Sequence, residues 1–303
     1  MPLPDFRLRD SPLDQAHGLR QRFAGQQCRF VPLVHNPQVA SAGVVMERLC
    51  VAFGAQGLRT LVVDAADSAS SPHQLASVDL AACIERLSSQ VAYLAARGLP
   101  RRYLDSRATM AGLLEALRLA AGDADVVLLH AGALDLRRIF AGRAPRPVLL
   151  VDDRPDSLTQ AYGAMKLLSQ RLGTLSYDLV VADDVSAARA HSLGERLADC
   201  ADHFLGAALR QVAQLDPTAP PSAPLRADLC RLVLDQLASF ANTRATDPAL
   251  AAWPDLPAPL APLAPPAPLA PLAPLARPAS PAALALPRRQ ALPAASLELS
   301  GAR

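Results

Sequence analysis

Short apolar runs rich in valine and leucine alternate along the chain with longer amphipathic stretches. The runs are too short for helices and are typical of buried parallel strands. We predict five strands, with a weaker sixth at residues 91–95. The five are residues 30–34, 60–63, 126–129, 148–151 and 177–181.

The stretches between these runs repeat apolar residues at helical spacing. They predict helices at residues 44–55, 110–121, 157–171 and 187–209, and one more at 226–240. Strand alternating with helix predicts an α/β fold, with a doubly wound, mostly parallel sheet and helices on both faces.

The chain divides into three parts. Residues 1–25 form an N-terminal segment with an amphipathic stretch at 14–23, residues 26–245 form the α/β domain, and residues 246–303 form a tail rich in proline, alanine and leucine. From about Pro254 to Pro293 the tail nearly repeats Pro-Leu-Ala. Because proline lacks an amide donor and blocks helix and strand, we expect a disordered or polyproline II spacer, with a proline-rich docking ligand as the alternative.

Composition narrows the function classes. Hydrophobic residues make up 51% and aromatic residues 4%, which favours helices packed on a sheet over a β-sandwich. A net charge of +2 without a dense basic run argues against a dedicated nucleic-acid binder. Five scattered cysteines favour a reduced cytoplasmic protein, and the chain shows neither a signal peptide nor an apolar run long enough to span a membrane.

Three stretches carry a family resemblance. Residues 14–20 read Asp-Gln-Ala-His-Gly-Leu-Arg, residues 57–65 read Gly-Leu-Arg-Thr-Leu-Val-Val-Asp-Ala, and residues 155–168 begin Pro-Asp-Ser-Leu-Thr-Gln-Ala-Tyr. In order and spacing, they resemble the flagellar-number-regulator (FlhG/FleN) branch of the MinD/ParA P-loop family over roughly residues 10–245. The resemblance implies the SIMIBI/MinD-like P-loop NTPase fold.

The family's phosphate-binding loop, K-G-G-x-G-K-[ST], is degenerate in this chain. Its glycines admit phosphate to the backbone, its lysines neutralise charge, and its hydroxyl holds Mg²⁺. Aligned without gaps, the loop falls on Pro37, Gln38, Val39, Ala40, Ser41, Ala42 and Gly43. Proline and alanine then replace both lysines, and Lys166, the only lysine in the chain, lies far away in sequence. We predict that Ser41 instead caps the following helix.

The acidic positions of the family are also incomplete. Asp64 retains the first, but Ala66 stands at the second, with Asp67 one residue further on. The strand at 126–129 is followed by His130 where the family has a metal-linked aspartate, and Ala182 replaces a frequent asparagine. We therefore predict a pseudo-ATPase that has no catalytic residues and needs no cofactor. The alternative is a divergent active ATPase that uses ATP and Mg²⁺ and cycles between cytosol and membrane.

The N-terminal motif implies a protein partner. In the family this element docks on the signal-recognition-like GTPase FlhF and supports its GTP hydrolysis. Carried over, Gln15 would lie near the nucleotide, Arg20 would make a charge contact, and Leu19 and Phe23 would be apolar anchors. The whole set of predicted contact residues is Asp14, Gln15, Ala16, Leu19, Arg20 and Phe23. The alternative is a helix that packs on its own domain.

The function implied is regulation of flagellar number or placement, with the protein cytoplasmic or recruited by a partner to the cell pole or membrane face. Flagellar basal-body or regulatory proteins and a homodimer are further candidate partners, whereas we expect no nucleic acid and no stable membrane insertion. A MinD-like accessory role in cellulose secretion is a second alternative, although such accessory proteins lack the D-Q-A-x-x-L-R opening.

The remaining polar groups suggest no further chemistry. His35 and His130 follow strands and could form a metal pair, but we interpret them as incidental because no cysteine or carboxylate stands at ligand spacing. We expect no metal site. We predict an exposed surface for Arg137, Arg138, Arg143 and Arg146. The polar face of the helix at 226–240 is mixed in charge, which favours packing on the domain or a dimer contact over membrane binding.

Overall fold

The computed structural model describes residues 28–77 and 79–245. The predicted partner-binding residues at 14–23 and the tail from residue 246 onward lie outside this part of the chain. Within it, strands and helices alternate as the hydrophobic pattern predicts.

Eight strands form one sheet. They are β1 (Arg29–Val34), β2 (Thr60–Asp64), β3 (Glu85–Arg86), β4 (Val91–Ala95), β5 (Val126–Ala131), β6 (Val148–Val151), β7 (Ser176–Ala182) and β8 (Ala208–Leu215). The helices are α1 (Ala42–Gly54), α2 (Gly112–Ala120), α3 (Ala133–Ile139), α4 (Pro155–Leu172), α5 (Ala187–Leu205) and α6 (Ala227–Ala245). Short 3-10 turns lie at Gln74–Ser77, Ala81–Cys83 and Leu99–Tyr103.

The strand order is β3-β4-β2-β5-β1-β6-β7-β8, and every pair is parallel except β3 with β4. The first strand, β1, lies near the centre of the sheet, and the later strands lie outward from it in both directions, as in a doubly wound fold. Two edges of the sheet matter below. The carboxyl edge is where β1, β2 and β5 end, and the amino edge is where β6, β7 and β8 begin.

Helices cover both faces of the sheet, as predicted. Successive residues of a strand point to opposite faces, so Leu33 packs on one side with α1 and α6. Val34 packs on the other side with α2, α3, α4 and α5. Both valine- and leucine-rich faces are buried, which explains why the parallel strands are continuous apolar runs instead of alternating ones.

The predicted helix at residues 187–209 is wrong in its last four residues. Gly206 ends α5 in the left-handed conformation, with φ of 60°, and its amide donates to the carbonyl of Asp202. The chain then enters β8, a strand that the pattern did not reveal. β3 and the short helix α3 were also not predicted.

Of the four arginines expected to form an exposed surface, only Arg143 is exposed; Arg137 and Arg138 are half-buried, and the prediction is wrong for Arg146. Its side chain is only 11% exposed, with Nε 3.1 Å from Asp178 Oδ2 and Nη1 2.8 Å from Asp235 Oδ2. Gln236 donates to Asp178 at 2.7 Å and to the Arg146 carbonyl at 3.0 Å. This buried group fixes α6 on the sheet, which agrees with the prediction that the helix at 226–240 packs on the domain.

A second contact joins α1 to the segment that leads into α6. Arg48 is 8% exposed, and its guanidinium donates to the carbonyls of Pro221 and Ala223 at 2.9 and 3.0 Å. Among the described helices, none is both long enough and apolar enough to cross a membrane.

Candidate functional site

The loop between β1 and α1 lies at the carboxyl edge, where a doubly wound sheet places its ligands. Asn36 holds this loop in place. Only 3% exposed, it donates from Nδ2 to the Leu150 carbonyl at 2.8 Å and to the carbonyl and hydroxyl of Ser157 at 3.0 and 3.2 Å. Its Oδ1 accepts from the amide of Gln38 at 3.1 Å. One side chain therefore ties the loop to the end of β6 and the start of α4.

The backbone amides of the loop are partly used by the loop itself. Pro37 has no amide hydrogen, the Gln38 amide donates to Asn36, and the Val39 amide donates to the Asn36 carbonyl at 3.0 Å. The Val39 side chain is 3% exposed and belongs to the core beneath α1. The first half of the loop thus turns its donors and its apolar side chain inward.

Ser41 stands at the N-cap position of α1, as predicted, and its carbonyl accepts from the Val45 amide at 3.1 Å. The prediction that its side chain caps the helix is wrong, because the hydroxyl makes no cap hydrogen bond. At Gly43, a Cβ atom would meet no atom within 4 Å. No close approach therefore requires glycine there.

Asp64, His130 and His35 meet at the carboxyl edge. His130 Nδ1 lies 2.8 Å from Asp64 Oδ1, and His130 Nε2 lies 3.3 Å from His35 Nδ1. The register pairs Asp64 of β2 with His130 of β5, and His35 directly follows β1, the other neighbour of β5. The three side chains form a hydrogen-bonded row across three adjacent strands.

Burial and neighbouring charges shift the pKa of two groups at this edge, His35 and Tyr93. Burial lowers the pKa of His35, and His130 lowers it further, whereas Asp67 and Asp64 act in the opposite direction. Burial, together with the charges of Asp64 and Glu85, raises the pKa of Tyr93 on β4. The buried His130, 1% exposed, thus lies between a carboxylate and a histidine that favours its neutral form.

The three side chains of the row are not arranged around a common metal position. In the described residues, no group of three or more histidine, cysteine or acidic side chains is arranged to hold a metal ion. The side chains hydrogen-bond to one another, so each member of the row has a partner within the protein.

The structure brings Asp64 and the loop at residues 37–43 to one edge, as the sequence predicted. It also brings His35 and His130 together at the ends of neighbouring strands, where His130 bonds to both His35 and Asp64. Sequence reasoning missed Asn36 and the contact of His130 with Asp64. The strand assignments alone place these residues at strand ends, but the register that joins them was not readable from the pattern.

The sequence matches no protein-family model and no curated protein. Solved structures are similar in fold. Cobyrinic acid a,c-diamide synthase from Mycobacterium smegmatis aligns over 72% of this chain and 97% of its own, with a TM-score of 0.50 and 16% identity. The MinD cell division protein of Aquifex aeolicus aligns over 71% and 97%, with a TM-score of 0.47 and 11% identity.

An ATP complex of McdA from Cyanothece aligns over 71% of this chain and 98% of its own, with a TM-score of 0.48 and 12% identity. At these identities the likeness concerns the fold alone. The eight-stranded, mostly parallel sheet with helices on both faces is the doubly wound α/β fold that the sequence predicted.

Proposed function

We propose that this chain is a non-catalytic MinD-like regulator that acts by binding partners, with the FlhF-type GTPase of flagellar assembly as its main partner. The observation that carries the first half of this proposal is the loop after β1. Asn36 and Val39 fill the place of a phosphate-binding loop with internal contacts, and residues 37–43 contain no lysine.

Magnesium-bound ATP does not fit the residues present. A phosphate-binding loop needs free amides and cationic side chains, whereas here Pro37 offers no amide and those of Gln38 and Val39 are already bonded. Each missing charged contact forgoes about 1.5–3 kcal/mol. The loss of two lysines therefore removes a large share of typical nucleotide affinity.

The acidic positions support the same proposal. Asp64 is the single family carboxylate retained, and it bonds to the buried His130 instead of facing open space. Mg²⁺ prefers oxygen ligands and would have to compete with this hydrogen bond beside a histidine ring. We infer that the hydrogen bonds among Asp64, His130 and His35 stabilise the carboxyl edge and leave no site for nucleotide there.

The partner half of the proposal rests on the resemblance. The motif at residues 14–20 is complete while the nucleotide loop is not. A protein that keeps its partner-binding element without a nucleotide switch would be regulated by its amount, its partner occupancy or its self-association. It would act in the cytoplasm and reach the cell pole or membrane face through its partner.

Isothermal titration of the full chain with ATP and Mg²⁺ tests the first half. We expect no saturable heat up to millimolar nucleotide. Clear micromolar binding contradicts the proposal and favours the divergent active ATPase. If heat appears, the same titration with Asp64→Asn shows whether the nucleotide binds at this edge.

Deletion of residues 1–25 tests the second half. We expect the GTPase rate of FlhF to rise with the full chain and to stay basal with the truncated one. Within the full chain, Gln15→Ala and Arg20→Ala should each reduce the stimulation, whereas Arg9→Ala, a charge change outside the motif, should not. Equal rates with the full and truncated chains contradict the partner assignment.

A further inference from the structure

Arginines that are scattered in the sequence are brought to one flank of the carboxyl edge. They belong to two segments, the 3-10 turn and loop that follow β4 and the helix α3 that follows β5. A backbone hydrogen bond joins the segments, because the Met110 amide donates to the Arg138 carbonyl at 2.9 Å. In the sheet, only β2 lies between β4 and β5. We call these residues the arginine flank: Arg101, Arg102, Arg107, Arg137 and Arg138.

The loop of the arginine flank has a fixed backbone. Asp105 accepts from the amides of Arg107 and Thr109 at 3.0 and 2.8 Å, and its own amide donates to the Thr109 carbonyl at 2.9 Å. The start of α2 packs on the 3-10 turn, since a Cβ atom at Gly112 would lie 3.8 Å from the Tyr103 ring. Arg107 is exposed in the middle of this closed loop. A surface that is already ordered loses less entropy when a partner binds.

The positive charge of the arginine flank is not balanced by the protein. None of its five arginines forms an ion pair with an acid of the described residues. Residues 101–112 and 133–139 together carry five arginines and two aspartates, a net charge of +3, whereas the whole chain has +2. Arginine offers planar pairs of donors that suit carboxylates. The flank therefore attracts an anionic partner.

Two leucines are exposed next to these arginines. Leu104 follows the 3-10 turn and is 49% exposed. Leu134 is 48% exposed and lies four residues before Arg138 on α3, a spacing that places two residues on the same side of a helix. The flank thus offers apolar contacts together with positive charge, a combination that fits an amphipathic partner segment.

The other flank of the same edge carries unpaired acids. Asp156, in the first turn of α4 after β6, and Asp184, after β7, are exposed, and neither pairs with a base in the described part of the chain. A duplex nucleic acid or an anionic membrane laid along this edge would meet these acids as well as the arginines, and like charges repel. A short acidic segment binds the arginine flank alone. The charge pattern therefore favours a protein segment over the larger polyanions.

We propose that the arginine flank docks an acidic, amphipathic segment of a partner protein. Carboxylates of the segment bind the flank arginines, and its apolar side chains contact Leu104 and Leu134. The surface belongs to the α/β domain and does not include residues 1–25, so the inference goes beyond the proposed function and does not depend on the N-terminal motif.

Fluorescence anisotropy of the full chain with labelled probes tests the proposal. The acidic probe is a peptide of repeated Glu-Glu-Leu, and its uncharged counterpart is a peptide of repeated Gln-Gln-Leu. Duplex DNA of mixed sequence and vesicles containing phosphatidylglycerol represent the other anionic partners. We expect saturable binding of the acidic peptide that weakens as sodium chloride is raised, because salt screens exposed charges, and no saturable binding of the uncharged peptide.

Variants of matched charge locate the docking surface. Arg102→Gln combined with Arg107→Gln removes two exposed charges of the flank and should weaken binding of the acidic peptide about fivefold. The control combines Arg196→Gln with Arg231→Gln, which lowers the net charge equally at exposed arginines of α5 and α6, and it should bind as the unaltered protein does.

The apolar part of the surface has its own pair of variants. Leu134→Gln should weaken binding of the acidic peptide about threefold, because it removes apolar area that the partner covers. Leu234→Gln, at a leucine of α6 that is 50% exposed, is the control and should leave binding unchanged. All these positions are exposed, so equal unfolding temperatures are expected and show that the variants are folded.

The proposal is overturned if the acidic peptide does not saturate, or if the flank variant and its control weaken binding equally, since net charge alone would then explain it. Saturable binding of DNA or vesicles that the flank variant abolishes, without binding of the acidic peptide, assigns the surface to another polyanion and also overturns it. Deletion of residues 1–25 should leave peptide binding unchanged, so this inference and the proposed function fail separately.

Discussion

The carboxyl and amino edges of the sheet differ in how well their buried polar side chains are hydrogen-bonded. At the carboxyl edge, Asn36 makes bonds to three neighbouring residues, and Asp64, His130 and His35 bond to one another. At the amino edge, the Thr174 hydroxyl and Nη2 of Arg146 are buried without hydrogen-bond partners among the described residues. In this fold the first edge usually holds the ligand. Here Asn36, Asp64, His130 and His35 find their hydrogen-bond partners within the protein, whereas Thr174 and Arg146 at the other edge each keep a buried polar atom without one.

We expect the largest loss of stability from substitution of Asn36, because this one side chain makes four hydrogen bonds. Asn36→Ala leaves acceptors at Leu150 and Ser157 and the amide of Gln38 without their partner. We expect the free energy of unfolding to fall by about 3–5 kcal/mol in denaturant titration. Gln56→Ala, at an exposed glutamine, is the control. A loss below about 1 kcal/mol would show that the loop does not depend on these bonds.

A carboxylate in place of His130 should remove the hydrogen bonds of the row and destabilise the protein. His130→Asp sets a second acid beside Asp64 in a buried position, and like charges there disfavour ionisation of both. We expect a loss of about 2–4 kcal/mol at pH 8 and a smaller one near pH 5, where one acid takes up a proton. His130→Asn removes the ring without adding charge, so its loss should not depend on pH in this way.

At the amino edge, the buried Asp178 should make the stability of the protein depend on pH. Burial raises the pKa of Asp178 from 3.8 to about 6, against the opposing effect of Arg146. Because the folded pKa exceeds the unfolded one, the stability contributed by the protonated acid is present below pH 4 and is lost as pH rises through about 6. The change amounts to about 2–3 kcal/mol.

Denaturant titrations between pH 4 and 6 measure this change, and Asp178→Asn should remove it. The lowered pKa values of the exposed Asp105 and Asp216 act in the opposite sense, and their contribution falls below pH 4. A slope between pH 4 and 6 that is unchanged in Asp178→Asn would assign the pH dependence to other groups.

We expect the smallest change in stability at Thr60, another hydroxyl without a partner at the amino end of a strand. Thr60, at the start of β2, is 1% exposed, and its Oγ1 has no partner among the described residues. Thr60→Val should change the unfolding free energy by less than about 1 kcal/mol, in either direction, by thermal or denaturant unfolding. Ser157→Ala, a matched hydroxyl at the carboxyl edge with bonds to Asn36 and Asp152, should cost more.

The sequence predicts the strands better than the contacts between them. Valine- and leucine-rich runs locate six of the eight strands within two residues at each end. β8 was not predicted because its alanine, arginine and glutamine residues give a weak strand signal and its first residues continue the helical pattern of α5 past Gly206. α3 escapes because seven residues are too few for periodicity to be read.

The candidate site shows the same limit. Composition and spacing reveal that lysines are missing near Pro37 in the sequence, which needs no structure. The bond between Asp64 and His130 spans 66 residues and depends on the register of β2 against β5. Hydrophobic patterns carry no information about parallel register between strands that are distant in sequence, so the bond could be found only in the structure.

The central position of β1 has a consequence for how the chain folds during synthesis. Its neighbour β5 comes much later in the sequence, with His35 and His130 at their ends separated by 95 residues. At a translation rate of roughly 5–20 residues per second, the apolar β1 waits about 5–20 s for its first partner strand. Over that interval the nascent polypeptide presents an unpaired hydrophobic edge, the kind of surface that chaperones recognise.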